Sequence, residues 1–220
     1  MEYSIEKLCK MIRSNKLPSD FNKWHIKINK KGTTLAHYTV ICGCLPPDFD
    51  RWYLRNRYGY TVAHTAVKYN CLPPDFNRWD LVSNSGKSVA HEAAKYGCLP
   101  PDFNQWNLKD KSGNTVAHIA ARFNHLPPNF NQWYLTNGYN YTVAYIAAEY
   151  NHLPPDFNQW NLADEYGWTA AHQAAYYGHL PPDFNQWNLA DNKGKTVAQI
   201  AYDYNHLPPD FDRWDLIEKR

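Results

Sequence analysis

The sequence predicts an all-α solenoid, seven helix-turn-helix repeats behind an N-terminal capping helix pair. Three observations predict it. Eight tryptophans, Trp24, Trp52, Trp79, Trp106, Trp133, Trp160, Trp187 and Trp214, are separated by 28 residues once and by 27 residues every time after that. Phe49, Phe76, Phe103, Phe130, Phe157, Phe184 and Phe211 keep the same step, as do the Leu-Pro-Pro triplets that begin at Leu45, Leu72, Leu99, Leu126, Leu153, Leu180 and Leu207. Gly or Asn also recurs in register, at Gly43, Asn70, Gly97, Asn124, Asn151, Gly178 and Asn205. A fixed period in this range marks stacked supersecondary units, each too small to bury its apolar face alone. The expected boundaries are a cap over 1–28 and repeats over about 29–55, 56–82, 83–109, 110–136, 137–163, 164–190 and 191–220.

The cap lacks the turn motif, but Ile5, Leu8 and Ile12 form a helical stripe, and Leu17, Phe21 and Trp24 continue the apolar ladder. Within one repeat, Asp110 to Gly113 reads as a turn and Thr115 as a helix N-cap. A first helix of roughly nine residues should follow, with Val116, Ala117, Ala120 and Ala121 on a face slim enough for close helix approach. Asn124 then supplies the left-handed C-cap conformation. Pro128 suits the first position of a second short helix, on which Leu126, Phe130 and Trp133 would make one apolar stripe. The chain closes on Asp215, Glu218, Lys219 and Arg220, a polar finish that limits end-to-end stacking.

The turn and first helix resemble the ankyrin repeat family, whose pattern runs Gly, Thr-Pro-Leu-His, two alanines, and Gly-His-Leu. The matching residues are Gly59, Thr61 and His64 in one unit, and Gly167, Thr169, His172, Ala174, Ala175, Gly178, His179 and Leu180 in another. The resemblance runs from about Gly32 to the C-terminus. Two departures stand out: Val, Leu or Ala replaces the Pro, and the period of 27 is shorter than the family's typical length of about 33. The missing residues fall in the second helix and its following loop. The resemblance implies that His37, His64, His91, His118 and His172 buttress the turns between units. It also implies that the turn tips and the exposed face of the first helix form a concave binding surface. Such close copies are a habit of bacterial, viral and effector-like members, so an effector or inhibitor of a host protein is one form the function would take.

Composition narrows the chemistry. The net charge is +2, which gives weak overall attraction to nucleic acid or membrane. Residues 1–60 hold eleven Lys/Arg against five Asp/Glu, and residues 61–220 hold twelve against sixteen, so an anionic partner would favour the N-terminal end. Five cysteines, an odd number set by repeat position, fit a reducing, cytoplasmic compartment. Glu2, Glu6 and Lys7 interrupt any signal peptide, and no segment approaches the roughly 18 apolar residues of a membrane span.

Ten histidines invite a metal proposal, yet His125, His152, His179 and His206 share one repeat position with Cys44, Cys71 and Cys98. Layers about 8–10 Å apart cannot bring two such residues to one zinc, whose ligands lie within roughly 4 Å of each other. A hydrogen bond at the helix junction is the expected role. The other His column becomes Tyr145 and Gln199 in two units, which favours a polar structural role over catalysis. No Ser/His/Asp set, Gly-rich phosphate loop or paired Cys motif appears, and no enzyme activity, metal or cofactor is expected.

Departures from the repeat are where recognition can reside. The candidate contacts are Tyr58, Tyr60, Tyr139, Tyr141, Tyr166 and Trp168 at turn tips, and Glu92, Tyr145, Gln173 and Tyr176 on the first helix. Tyr and Trp are enriched among interface hot spots. The sequence therefore reads as a monomeric scaffold that binds another protein. The alternative is a nucleic-acid-binding solenoid that uses basic and aromatic tips, and a third reading is a purely architectural role.

Overall fold

The structure, a computed structural model, describes residues 3–217. Glu2, and Glu218, Lys219 and Arg220 of the expected polar finish, lie outside the described residues. The chain divides into two compact units, Met1–Pro100 and Pro101–Arg220. The first holds helices α1 (Ile5–Arg13), α2 (Leu35–Ile41), α3 (Val62–Lys68) and α4 (Val89–Tyr96). The second holds α5 (Val116–Arg122), α6 (Val143–Glu149), α7 (Ala170–Tyr177) and α8 (Val197–Asp203), then a 3-10 turn at Trp214–Leu216. Within each unit every helix packs on its neighbours in sequence, as a helical repeat requires. The described residues contain no strand, only isolated antiparallel bridges such as Arg55–Thr61 and Lys109–Thr115 that pinch each turn into a hairpin.

One repeat of the second unit shows how local chemistry shapes the fold. Asp110 Oδ1 accepts from the backbone N–H of Ser112 (2.9 Å) and Asn114 (3.0 Å), and Gly113, at φ +74°, completes the hairpin. Thr115 caps α5, its hydroxyl accepting from His118 N–H at 3.3 Å. The His118 ring turns back, and its Nδ1 accepts from Thr115 N–H at 3.3 Å and lies 2.6 Å from the hydroxyl. Such reciprocal capping satisfies two donors that a helix start leaves free. The same Thr/Ser–His box opens α2, α3, α4 and α7. From α2 onward it fails only where Tyr145 and Gln199 replace His.

The first helix is shorter than expected, seven or eight residues from α2 onward, and its small face is fully buried at Val116, Ala117, Ala120 and Ala121. The left-handed C-terminal residues stand where the sequence put them: Gly43, Asn70, Gly97, Asn124, Asn151, Gly178 and Asn205 all have positive φ. His152, His179 and His206 make the expected junction bonds, each Nδ1–H donating to a carbonyl in the helix of the previous repeat (Ala121, Ala148, Ala175) at 2.9 Å.

The second helix of the repeat does not form, so the helix-turn-helix description and the capping helix pair both need correction. Each repeat has one helix, and the cap is α1 followed by turns. From Leu126 to Leu135 the chain makes one turn closed by Phe130 N–H on Pro127 O (3.0 Å) and another closed by Leu135 N–H on Gln132 O (3.2 Å). Two physical reasons exclude a helix. A residue before proline is pushed out of the α region, and Leu-Pro-Pro does this twice in succession. The carbonyls of this segment are also committed to the next helix: Trp133 O accepts from Ala144 N–H at 3.2 Å and Leu135 O from Val143 N–H at 2.9 Å. A helix here would turn those acceptors inward.

The apolar ladder survives without the helix because turns can also interdigitate side chains. In the second unit Trp106, Phe130, Trp133 and Phe157 meet edge to face in sequence, with ring centroids 5.4, 5.0 and 5.2 Å apart. In the first unit Trp24, Phe49, Trp52 and Phe76 do the same. Such pairs add to the burial term rather than merely accompany it.

Phe130→Ala removes two edge-to-face partners and should cost about 3–5 kcal/mol, read by urea denaturation of the full chain. His37, His64 and His172 are held below their ordinary value of 6.5, chiefly by burial and only partly offset by their bonds to the carbonyls of Tyr60, Lys87 and Lys195. The unfolded chain therefore binds more protons below pH 6.5 than the folded one. Stability should be constant well above that pH and fall as pH drops through it. The thermal midpoint measures this, and His64→Gln/His172→Gln should flatten the slope.

Candidate functional site

Seven of the ten candidate contact residues line one depression in the second unit, of about 660 Å³: Tyr139, Tyr141, Tyr145, Tyr166, Trp168, Gln173 and Tyr176. The reason lies in the hairpin register. Residues three and five of each hairpin are two apart and share a side, and these positions are both aromatic in two consecutive hairpins, 137–142 and 164–169. Helices α6 and α7, which follow those hairpins, supply the rest.

Each hairpin is held by its first residue. Asn137 Oδ1 accepts from Tyr139 N–H (2.9 Å) and Tyr141 N–H (3.1 Å), and Asp164 Oδ1 accepts from Tyr166 and Trp168 N–H, both at 2.9 Å. The second hairpin position is tightly packed at Gly138, where an added Cβ would stand 2.4 Å from Ser112 O. That close approach seats the hairpin against its neighbour and leaves Tyr139 projecting, 67% exposed. Tyr166 projects in the same way.

The rings are ordered among themselves. Tyr141 and Tyr145 stack with centroids 4.3 Å apart and planes within 5°, and Tyr139 stacks on Tyr141 at 6.1 Å. Tyr145 occupies the position that holds a capping His in most repeats. Its backbone N–H still bonds Thr142 Oγ1 at 3.0 Å, but the phenol cannot cap and joins the groove instead. Burial, then the neighbouring Tyr141 and Glu149, push its pKa upward, so the phenol stays neutral. Trp168 rests on His172 at 5.3 Å, and its Nε1–H donates to Gln173 Oε1 at 3.0 Å. Gln173 was expected on the exposed face and is instead buried, fixed by that bond. Tyr176 packs on Tyr204 at 4.3 Å.

The remaining three candidates lie in the first unit and form a smaller arrangement. Tyr60 packs on His64 at 5.2 Å and donates its hydroxyl to Glu92 Oε1 at 3.2 Å, so these two side chains occupy each other. Tyr58 is exposed at its tip. No second aromatic hairpin lies beside it in that unit, because the flanking hairpins carry Lys31 with Thr33 and Ser85 with Lys87.

Sequence reasoning missed Gly138, Asn140, Asp164, Glu165 and Tyr177 on the groove lining. Tyr177 belongs to another 27-residue column, Tyr69, Tyr96, Phe123, Tyr150, Tyr177 and Tyr204, and it was the regularity of that column that hid it. Asp164 carries a turn-closing role in common with Asp110 and Asp191. Glu165 occupies a variable tip position and was legible in principle.

The histidines have structural occupations. In His37, His64, His118 and His172, Nδ1 accepts at the N-cap while Nε2–H donates to a carbonyl of the next hairpin, at 2.9–3.1 Å. No helix among the described residues is long and apolar enough to cross a membrane. No protein-family model matches the chain, and comparison with curated proteins gives no match.

The Tyr145 substitution of the repeat yields a direct test. Tyr145→His should rebuild the capping box on Thr142 and offer a ring N–H to the Trp168 carbonyl, as His118 does to Tyr141. Each recovered bond contributes about 0.5–1.5 kcal/mol. The variant should melt higher than wild type in thermal denaturation while losing the stacked face over Tyr141.

Proposed function

We propose that this chain is a non-enzymatic, ankyrin-like repeat scaffold that binds another protein through its turn tips and first-helix faces. The observation that carries this reading is the convergence of seven repeat-breaking residues on one groove of the second unit. Aromatic side chains that are half exposed and already ordered by stacking lose little freedom on binding, which favours affinity. The engagement of His37, His64, His118 and His172 in capping and turn bonds supports a scaffold over a catalyst. The five cysteines are free thiols, which suits a reducing cytoplasm, and the chain acts as a monomer in this reading.

Nucleic acid is the weaker reading for this groove. Its lining carries the carboxylates of Asp164 and Glu165, which repel phosphate, and aromatic platforms for single strands work beside basic side chains.

Affinity capture from cell extract, comparing wild type with Tyr139→Ala/Trp168→Ala, tests the assignment. The expected result is loss of a specific protein by about tenfold or more in the double variant, in line with the cost of truncating two hot-spot aromatics. Equal recovery by both forms would show that the surface lies elsewhere.

A further inference from the structure

We propose that the groove of the second unit receives an arginine side chain from a basic segment of the partner. This rests on the protein-binding reading above and names the chemistry of its contact.

The groove combines two features that suit a cation and little else. Its aromatic lining is electron-rich: Tyr141 is held between Tyr139 and Tyr145, which leaves the exposed rings of Tyr139 and Tyr166 and that of Trp168, the ring type that attracts cations best, to meet an occupant. Its charged lining residues are Asp164 and Glu165, and no Lys or Arg is among the described residues that line it. Asp164 has Oδ1 committed to the hairpin amides, while Glu165 stands exposed on the tip beside Tyr166.

An apolar knob such as Leu or Phe would fill the space but would draw the two carboxylates out of water without compensation. An anionic group would meet repulsion. A cation gains from both the rings and the carboxylates.

Among cations, arginine fits the shape. The depression is a surface groove, with Tyr139 and Tyr166 both more than half exposed, and does not enclose its occupant. A lysine ammonium is strongly hydrated and gains most where it is fully caged. A guanidinium is planar and weakly hydrated, so it can lie flat on a ring while its edge N–H groups reach a carboxylate. The fixed hairpin amides hold the aromatic pair in place before binding, so the ring faces need not be reorganised.

The test uses the full chain and three fluorescein-labelled peptides of equal length, Gly-Ser-Arg-Gly-Arg-Ser-Gly and its citrulline and lysine counterparts, followed by fluorescence anisotropy. Citrulline keeps the shape and most of the N–H groups and removes the charge. The arginine peptide should bind, the citrulline peptide at least about tenfold more weakly, and the lysine peptide between them. Trp168→Ala and Glu165→Gln should each weaken the arginine peptide by about threefold or more, with unchanged circular dichroism. Glu165→Gln is a surface change, whereas Trp168→Ala uncovers Gln173; if Trp168→Ala loses helix signal, Tyr139→Ala takes its place.

Equal binding of the arginine and citrulline peptides overturns the proposal. So does the absence of any arginine-peptide binding, tighter binding of the lysine peptide, or indifference to both substitutions. These failures are separable from failure of the protein-binding reading. If captured protein still depends on Tyr139 and Trp168 while citrulline equals arginine, the surface stands and its cation chemistry falls. If capture ignores those residues, the surface itself falls.

Discussion

A seven-residue helix cannot satisfy its own ends. Each terminus leaves up to four backbone groups without an internal partner, so in α5 nearly every residue has a donor or an acceptor that must be answered from outside. The answers come from fixed places. The first two N–H groups go to the carbonyls of Leu108 and Trp106, the third to the Thr115 hydroxyl, and Thr115's own N–H to the His118 ring. Near the other end, the Ala121 carbonyl takes the ring proton of His152 from the following repeat. Repeats within a unit are thus joined by polar bonds that neither could replace with water once its alanine face is buried. Burial of the small face and satisfaction of the helix ends require the same neighbour, which makes the stack cooperative.

This constraint also decides the shape of the segment between helices. The Trp and Leu carbonyls ahead of each hairpin must point at the next helix start, and a helical segment would hold them in its own ladder. An irregular run with two tight turns leaves them free and still lets Phe and Trp alternate edge to face. The sequence pattern was misleading at this point for a physical reason. Leu126, Phe130 and Trp133 are spaced as one face of a helix, but a turn at Pro127–Phe130 and a second at Gln132–Leu135 bring the same three residues to the same apolar layer. Apolar periodicity reports which side chains are buried, and over so short a segment it does not report how the backbone gets them there. The two prolines held the better information.

Other features were legible because a single residue type bears them. Only Gly and Asn accept the left-handed position readily, and all seven C-terminal Gly or Asn residues adopt it. Thr or Ser with His three residues later defines a reciprocal cap that local bonding alone dictates. The groove was legible for the opposite reason. Tyr139, Tyr141, Tyr166 and Trp168 are not needed by the repeat, so their identity is free to serve something else. Asp164 and Tyr177 escaped notice because each also obeys a repeat rule, and a residue with two roles shows only the commoner one in a single sequence. Gln173 misled in another way: its place on the helix suggested exposure, and the indole of Trp168, reaching across from the hairpin, covers it.

Tyr145 ties the fold to the site. A histidine there would close the cap on Thr142 and hold the following hairpin, as His118 does for the hairpin of Tyr141. The tyrosine gives up both bonds and places a flat, neutral ring 4.3 Å from Tyr141. Nothing in the packing of α6 demands this exchange, since Val143, Ala144, Ala147 and Ala148 are buried as in the other repeats. On the binding role proposed above, this is a position where a cap is given up in favour of a ring that stacks in the groove. The loss is tolerable because the cap is one of several bonds at that helix start: Val143 and Ala144 still donate to the carbonyls of Leu135 and Trp133. The redundancy that lets a short helix survive among its neighbours is therefore what allows this repeat to contribute a ring to the groove in place of a cap.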